Sequence, residues 1–499
     1  MGMLDIFRRR KPEPVSKRRY DGAQVGRLFS DFQATQRSAD SEIRYSLKTL
    51  RDRCRDLSRN NEYARRYLHL VRTNVIGERG ITLQMKAVNS NGTLDAIANQ
   101  QIEREWSRWS RIGNCSVDGK LSFVDAQALA VEGMARDGEC LIRIVNYPGA
   151  PGRIALQFLE PDLLDEEKNE RAANGNEIRM GVEFDKYRRP VAYHLLSSHP
   201  GDYQFTQYNR RTERVEAENI IHLFLPDRAQ QTRGTPWMST AITSLKMLHG
   251  YREAELVAAR TAASKMGFFI SRSGEGFVGD DTEDSVIPLT DASPGSFFQL
   301  PKDVEFQQWD PAHPTSAFAD FERSILRGIA SGLGVSYHSL ANDLTQTSYS
   351  SIRQGAIEDR DFYRMIQQRL IEHFVLPVFE RWLLNAMTLG LVSLPIDKFE
   401  KFYGAAQFRP RGFQWVDPQK EINAHVVALQ NGLISMQDVA NVYGRDVEEV
   451  FSQIARDKQL AEQFGLKMAF EPFGGGQSPY GPGKINLQTG ETFDAMTED

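Results

Sequence analysis

The chain has 499 residues, of which 40% are hydrophobic and 25% charged, with 61 basic against 66 acidic residues and a formal net charge of −5. This length predicts about two to four domains, and the composition is that of an ordinary folded chain, which excludes a wholly disordered one. The acidic balance lacks the global basic signature of a protein that grips nucleic acid, and no apolar run approaches the ~20 residues of a membrane span.

Cys54, Cys115 and Cys140 lie far apart and form no CxxC pair, which suits a reducing compartment rather than a disulfide framework. The basic cluster of Arg8 to Lys11 and Lys17 to Arg19 has no apolar stretch beside it. It therefore does not read as a signal peptide. A solvated basic tail is the plainer reading, and contact with nucleic acid or a partner is the other. Residues 1–40 read as a loosely structured arm.

The pattern then turns helical over an arginine-rich stretch, Ser41 to Arg72. A helix follows over 94–112, with Ile102, Trp106 and Trp109 on one stripe. Another spans Phe123 to Arg136 and hands over to a strand, Cys140 to Val145. β-rich runs at Ile154–Leu159, Met180–Phe184, Val191–Leu196 and Ile220–Leu225 are separated by Gly, Pro, Asn and Asp. The first half is thus α+β, with helices before a mostly antiparallel sheet.

Thr235 and Pro236 are a helix-start signal, and Gly267 is a stop. The run between them predicts a rod of roughly 45–50 Å. Ala254, Ala258, Ala259, Ala262 and Ala263 permit close approach of a neighbouring helix, although helix propensity alone also accounts for alanine. Residues 268–314 read as β and turn. A second helix is predicted from about Ser316 to Leu333, with Phe318, Phe321, Ile325 and Ile329 on one face. A polar segment, Ser339 to Ser348, interrupts. A third helix is predicted from about Tyr349 to Leu389, with Pro377 inside it as a kink. From Asp417 three short helices carry explicit caps: Asp417–Pro418, then Ser435 with Asp438 after Gly432, then Asp446 with Glu449 after Gly444. The Gly/Pro-rich tail from Glu471 is expected to be disordered.

Motifs for enzymatic chemistry are weak. Gly274, Gly276 and Gly279 match GxGxxG, but Asp280, Asp281, Glu283 and Asp284 follow where a helix N-terminus should meet phosphate. A flexible acidic loop is the better reading. No GxxxxGK[ST], HExxH or GxSxG occurs. His194, His199 and His222 lie in or beside strands and could converge on a metal, with Asp162 or Asp165 as a fourth ligand. Their spacing does not demand it, and structural histidines are the plainer reading.

Several segments, taken in order, resemble the lambda-type phage portal family: RDRCRDLSRNNEYARRYL (51–68), TNVIGERGITLQ (73–84), LEPDLLD (159–165), RRPVAYHLL (188–196), RGTPWM (233–238), TQTSYSSIRQG (345–355) and GFQWVDPQKEINA (412–424). The likeness covers about residues 20–465. It implies an α+β portal fold. Residues 1–44 would be an N-terminal arm and 45–235 the wing. Residues 236–266 and 315–338 would be stem helices flanking a clip at 267–314. Residues 339–350 would be the tunnel loop, 351–415 the kinked tunnel helix and its return to the wing, 416–470 the crown, and 471–499 a disordered tail.

The resemblance further implies a subunit without catalytic residues or cofactor. About twelve copies would ring the portal vertex of the virion after assembly in the host cytoplasm. The implied partners are the double-stranded DNA passing through the channel, the terminase large subunit, a head–tail connector or adaptor, and the major capsid and scaffold proteins, with no membrane. Asn342, Asp343, Leu344, Thr345, Gln346 and Thr347 would face DNA. Pro377 would set the kink, and Glu275, Asp280, Asp281, Glu283 and Asp284 would meet motor or connector. Twelve helices packed ~9–10 Å apart make a circle ~34–38 Å across, which leaves ~24–28 Å inside for a duplex roughly 20 Å wide. Residues 273–310 hold nine acids and one lysine, and an acidic conduit does not retain phosphate. The rival readings are a nucleic-acid-processing metalloenzyme built on His194, His199 and His222, and another structural virion protein.

Overall fold

An asparagine splits the first arginine-rich helix. In the computed structural model, which describes residues 36–202, 212–263, 267–271, 304–308, 318–345, 348–413, 418–443 and 445–466, the stretch read as helical holds three helices: α1 (Ala39–Ile43), α2 (Leu47–Asn60) and α3 (Glu62–Val75). Asn61 between the last two is extended, and its side chain accepts hydrogen bonds from the Tyr63 and Ala64 amides. Asparagine competes with the helix for its own amides and so caps the next helix instead.

Strand β1 (Thr82–Met85) and helices α4 (Ala96–Trp109) and α5 (Phe123–Asp137) follow. The last opens on a reciprocal Ser122–Asp125 capping box and closes at Gly138, φ +90°. The strands are β2 (Glu139–Asn146), β3 (Ile154–Leu159), β4 (Glu170–Arg171), β5 (Glu177–Arg179), β6 (Val182–Phe184), β7 (Pro190–Leu196), β8 (Thr212–Glu216) and β9 (Ile220–Phe224). They form two antiparallel sheets, β3-β2-β9 and β4-β5-β6-β7-β8. The antiparallel α+β reading of this half holds.

The rod-like helix α6 runs over Ile242–Ala263, not from Pro236. Before it, Trp237 N–H donates to the Ala135 carbonyl, Ser239 N–H to Pro236 and Ala241 N–H to Met238. These bonds hold residues 236–241 as turns against α5, so coiling starts only beyond Ala241. The described helix is 22 residues, ~33 Å rather than 45–50 Å. Strands β10 (Gly267–Ser271) and β11 (Val304–Gln308) pair antiparallel across the next insertion. Helix α7 (Phe318–Leu333) returns beside α6, where Tyr251 stacks on Phe318 and Arg252 lies 3.3 Å from Glu322.

A short α8 (Tyr337–Ala341) precedes α9 (Tyr349–Leu370), a π-helical turn (Ile371–Val375) and α10 (Leu376–Thr388). Trp106, Trp109, Phe123, Phe374, Phe379 and Trp382 form one aromatic cluster that buries α10 against α4 and α5. Such a cluster carries much of the packing energy of a core. Helix α11 (Phe399–Gly404) leads into β12 (Ala406–Arg409), which pairs with β1, so that Thr82 stands opposite Arg409.

Three short helices follow: α12 (Pro418–Gln430), α13 (Met436–Val442) on a Ser435–Asp438 box, and α14 (Val447–Gln463) capped by Asp446, while Asp417 and Gly444, read as the first cap and the second stop, lie outside the described residues. Gly432 ends the first turn region at φ +67°. The GxGxxG glycines, the arm to residue 35 and the tail from Glu471 lie outside the described residues.

Candidate functional site

The segment predicted as a polar loop from residue 339 is shorter than expected. Ser339, Leu340 and Ala341 belong to α8, because Ser336 starts a turn whose Leu340 is buried. Ser336 N–H donates to Asp359 Oδ1 at 2.7 Å, and the Ser336 and Ser339 hydroxyls donate to Asp359 Oδ2 at 2.8 and 2.9 Å. Arg66 Nε donates to the Ser339 carbonyl at 3.1 Å. Buried Asp359 thus ties α8 to α9, and α3 holds it from the other side.

Asn342 then takes a left-handed conformation, φ +54°, that ends α8. Asparagine tolerates this better than most side chains. Asp343 accepts from the Tyr337 hydroxyl at 2.8 Å, from the Thr345 amide at 2.9 Å and from the Thr345 hydroxyl, and Arg323 Nε of α7 lies 3.7 Å away. The Thr345 bonds first, then Tyr337 and Arg323, hold its carboxyl down at about 2. Asp343 is therefore ionised and fixed, an anchor for the loop. Leu344 and Thr345 are exposed beyond it. Gln346 and Thr347 lie outside the described residues.

At Pro377 the departure from a regular α-helix falls one turn earlier than the proline itself. The backbone stays helical through Val375 and Leu376, and Leu376 N–H reaches back to the Ile371 carbonyl in a π-type bond. Proline lacks an N–H and crowds the carbonyl one turn behind it. A widened turn accommodates both effects.

The three histidines do not come together. His194 Nε2 lies 3.2 Å from Glu183, His222 Nε2 lies 2.9 Å from Glu139, and His199 Nε2 lies 3.0 Å from Glu160. His194 and His222 sit in different sheets, so strand placement separates what sequence spacing left open. Burial pushes His194 down despite Glu183. Asp165 caps a turn through Glu167 N–H and is no fourth ligand of such a centre. Glu160, Asp162 and His199 do cluster, but Asp162 is already taken by Arg51 at 3.3 Å and Arg55 at 2.6 Å. The clip candidates Glu275, Asp280, Asp281, Glu283 and Asp284 lie outside the described residues.

Sequence reasoning missed a buried ionic knot. Glu139, at the start of β2, is fully buried. It accepts from Arg51 Nη2 at 3.0 Å, from Arg233 Nε at 2.9 and 3.0 Å, and from the Gly234 amide at 3.1 Å, with His222 also on it. Burial alone would raise its carboxyl, but the Arg233 charge and the His222 and Arg233 hydrogen bonds overcome that and hold it far below the usual range. Arg233, also fully buried, spends its other N–H groups on the carbonyls of Pro161, Leu164 and Met180. Beside them Gly138 and Gly234 cross so closely that a Cβ on Gly234 would stand 2.1 Å from the Gly138 carbonyl oxygen. Arg51, Asp162 and Arg233 come from three of the segments quoted above. Only Arg233, the single charge in RGTPWM, stood out in its segment, whereas Arg51 and Asp162 have other charged residues beside them.

The chain is similar to several known proteins. The sequence profile described as phage portal protein, lambda family, matches residues 25–367. The "Probable portal protein" of Halomonas phage phiHAP-1 is 36% identical over 464 residues, covering 91% of this chain and 89% of that protein. "Portal protein B" of Escherichia phage lambda is 22% identical over 482 residues, covering 89% and 90%. Among solved structures, "Neck of native GTA particle computed with C12 symmetry" aligns at a TM-score of 0.41 and 14% identity over 82% of this chain and 94% of that one.

Proposed function

This chain belongs to the lambda family of phage portal proteins, and from that premise we propose that it assembles as a ring of about twelve copies at one capsid vertex. Double-stranded DNA passes through the ring during packaging and ejection. The observation that carries the reading is the 36% identity to a portal protein across nine-tenths of both chains. The fold adds physical support. Helix α6 exposes Met247 and Leu256, apolar side chains that neighbouring copies in a ring would cover. The loop after α8 projects Leu344 and Thr345 from a base pinned by Asp343 and Asp359, which suits a segment that meets moving DNA without yielding.

In this reading α6 and α7 are the stem, the β10–β11 ladder roots the clip that docks the terminase motor and later the connector, residues 342–348 are the tunnel loop, and α12 to α14 are the crown. No step requires catalysis by the subunit. The test is negative-stain imaging of the purified chain. End-on rings with a central hole are expected, and particles that remain monomeric under all conditions, or show ATP turnover that co-elutes with the protein, would sink the reading.

A further inference from the structure

The last three helices are well started and poorly covered. Helices α12, α13 and α14 have 13, 7 and 17 residues. Isolated helices of such length are marginal in water unless an apolar face is packed. The Ser435–Asp438 box and the Asp446 cap fix where α13 and α14 begin, but caps supply no core. Among the side chains described between residues 419 and 466, one is buried, and it is polar: Asp446, held by Lys86 and Arg409 at 2.9 Å each.

Helix α12 carries the sharpest case. Ile422, Val426 and Val427 are 46%, 43% and 55% exposed. At about 100° per residue, Val426 stands ~40° around the helix from Ile422, and Val427 ~140°. The half-buried residues His425, Ala428 and Leu429 take the remaining arc, from ~240° to ~340°. Apolar side chains therefore surround most of the helix, which is the pattern of a helix enclosed on several sides rather than of one lying on a surface. Within a single copy only the arc of Ala428 and Leu429 is even half covered. Leu460 and Phe464, one turn apart at the end of α14, add a further exposed apolar edge. Residues 421–430 contain neither lysine nor arginine, so a phosphate backbone finds no cation on this helix.

We propose that α12 is enclosed between two other copies of this chain, so that the bundle of residues 418–466 is completed only in the ring. The proposal rests on the reading of the chain as a ring subunit and names a surface that closes the ring. A ring contact is heterologous: each copy offers one surface to the neighbour ahead and a different one to the neighbour behind. Exposed apolar residues on two sides of one helix meet that requirement, with Ile422 and Val426 toward one copy and Val427 toward the other. A single foreign helix would cover one side and leave the other in water. Leu460 and Phe464 offer apolar surface to the same contact.

Hydrogen exchange of the full-length chain, measured on rings and on unassembled subunits separated by gel filtration, tests this. The amides of residues 422–430 should exchange about ten-fold more slowly in rings than in the single subunit. In the double variant V426N/V427N that ring protection should be lost, while the amides of α5 and β2 exchange as in the wild type. Both substituted side chains are exposed in one copy, so the subunit keeps its fold. Equal exchange of residues 422–430 in subunit and ring would overturn the proposal. Ring protection that disappears in a chain ending at Leu466 would assign the cover to the chain's own last residues and overturn it as well. So would protection that arises only when a different virion protein is added. Negative-stain images of the same samples separate the two readings. Rings in which α12 stays unprotected sink the helix contact alone, and absence of rings sinks the ring reading beneath it.

Discussion

Replacing Glu139 with glutamine keeps the shape of the side chain and removes the charge that two buried guanidinium groups share. Arg51 would keep Asp162 at 3.3 Å and Glu166 at 3.0 Å. Arg233 would keep only neutral carbonyls, and one face of the new amide would point an N–H at the donors of Arg233 or Gly234. Breaking a buried ion pair from one side costs about 3–5 kcal/mol, and the cost here falls on Arg233. The assay is urea unfolding followed by the fluorescence of the core tryptophans, Trp106, Trp109 and Trp382. Arg143→Ala, which removes a partly exposed pair with Glu213 at 2.8 Å, is the control and should cost less than about 1 kcal/mol. The pH dependence follows from the sign of the shift. Glu139 is depressed in the fold, so its contribution is fully present above the unfolded value of about 4.3 and is lost as pH falls below it. Glu139→Gln should flatten that acid limb. A loss under about 1 kcal/mol with an unchanged acid limb would refute the knot as a determinant of stability.

Gly234→Ala should yield insoluble or unassembled protein, because the added methyl meets the Gly138 carbonyl at 2.1 Å; soluble rings at wild-type yield would contradict this. Gln346→Lys should leave rings intact and slow DNA packaging, more at low salt, since a lysine adds a phosphate contact; equal packaging at every salt would remove the loop from the channel. Pro377→Ala restores an N–H and should convert the π-helical turn at 371–375 to regular α-helix in the variant's structure, with reduced packaging; a retained π-turn would show that packing of Phe374 and Trp382 sets it. Asp446, held down at about 2 by its bonds to Gln84, Lys86 and the Glu448 and Glu449 amides against the opposing effect of burial, should keep the last helices docked at neutral and mildly acidic pH. That hold is lost only as pH falls below the usual carboxylate value towards 2. Asp446→Asn should make residues 418–466 the first fragment released by limited proteolysis, and an unchanged digestion pattern would refute it.

Much of this fold is legible from local signals. The Ser122–Asp125 and Ser435–Asp438 capping boxes and the aromatic stripe of α4 each act within one or two turns of helix, and each stands where it was read. Signals that depend on distant partners were misread. Thr235–Pro236 carries a good helix start, yet the backbone there is held by Ala135 and Gly138, which lie about a hundred residues earlier, and tertiary bonding overrides the local preference. Ser339 reads as loop because it is polar, but Asp359 and Arg66 supply its partners. The histidines read as a possible centre because spacing says nothing about which sheet each strand joins. The buried Arg51–Glu139–Arg233 knot is the same problem in its strongest form, since each charge looks solvated until three separate segments converge.

Strand β12 pairs with β1 across 327 residues of sequence. A pairing over so long a separation pays its loop-closure entropy only after most of the intervening chain has already condensed. During synthesis, then, β1 is an open edge until residue 409 has left the ribosome, and Asp446 next to Arg409 secures the seam just afterwards. The order of folding is thereby written into the order of translation. A chain cut short anywhere before that seam carries an unpaired β1, an exposed strand edge open to pairing with another chain.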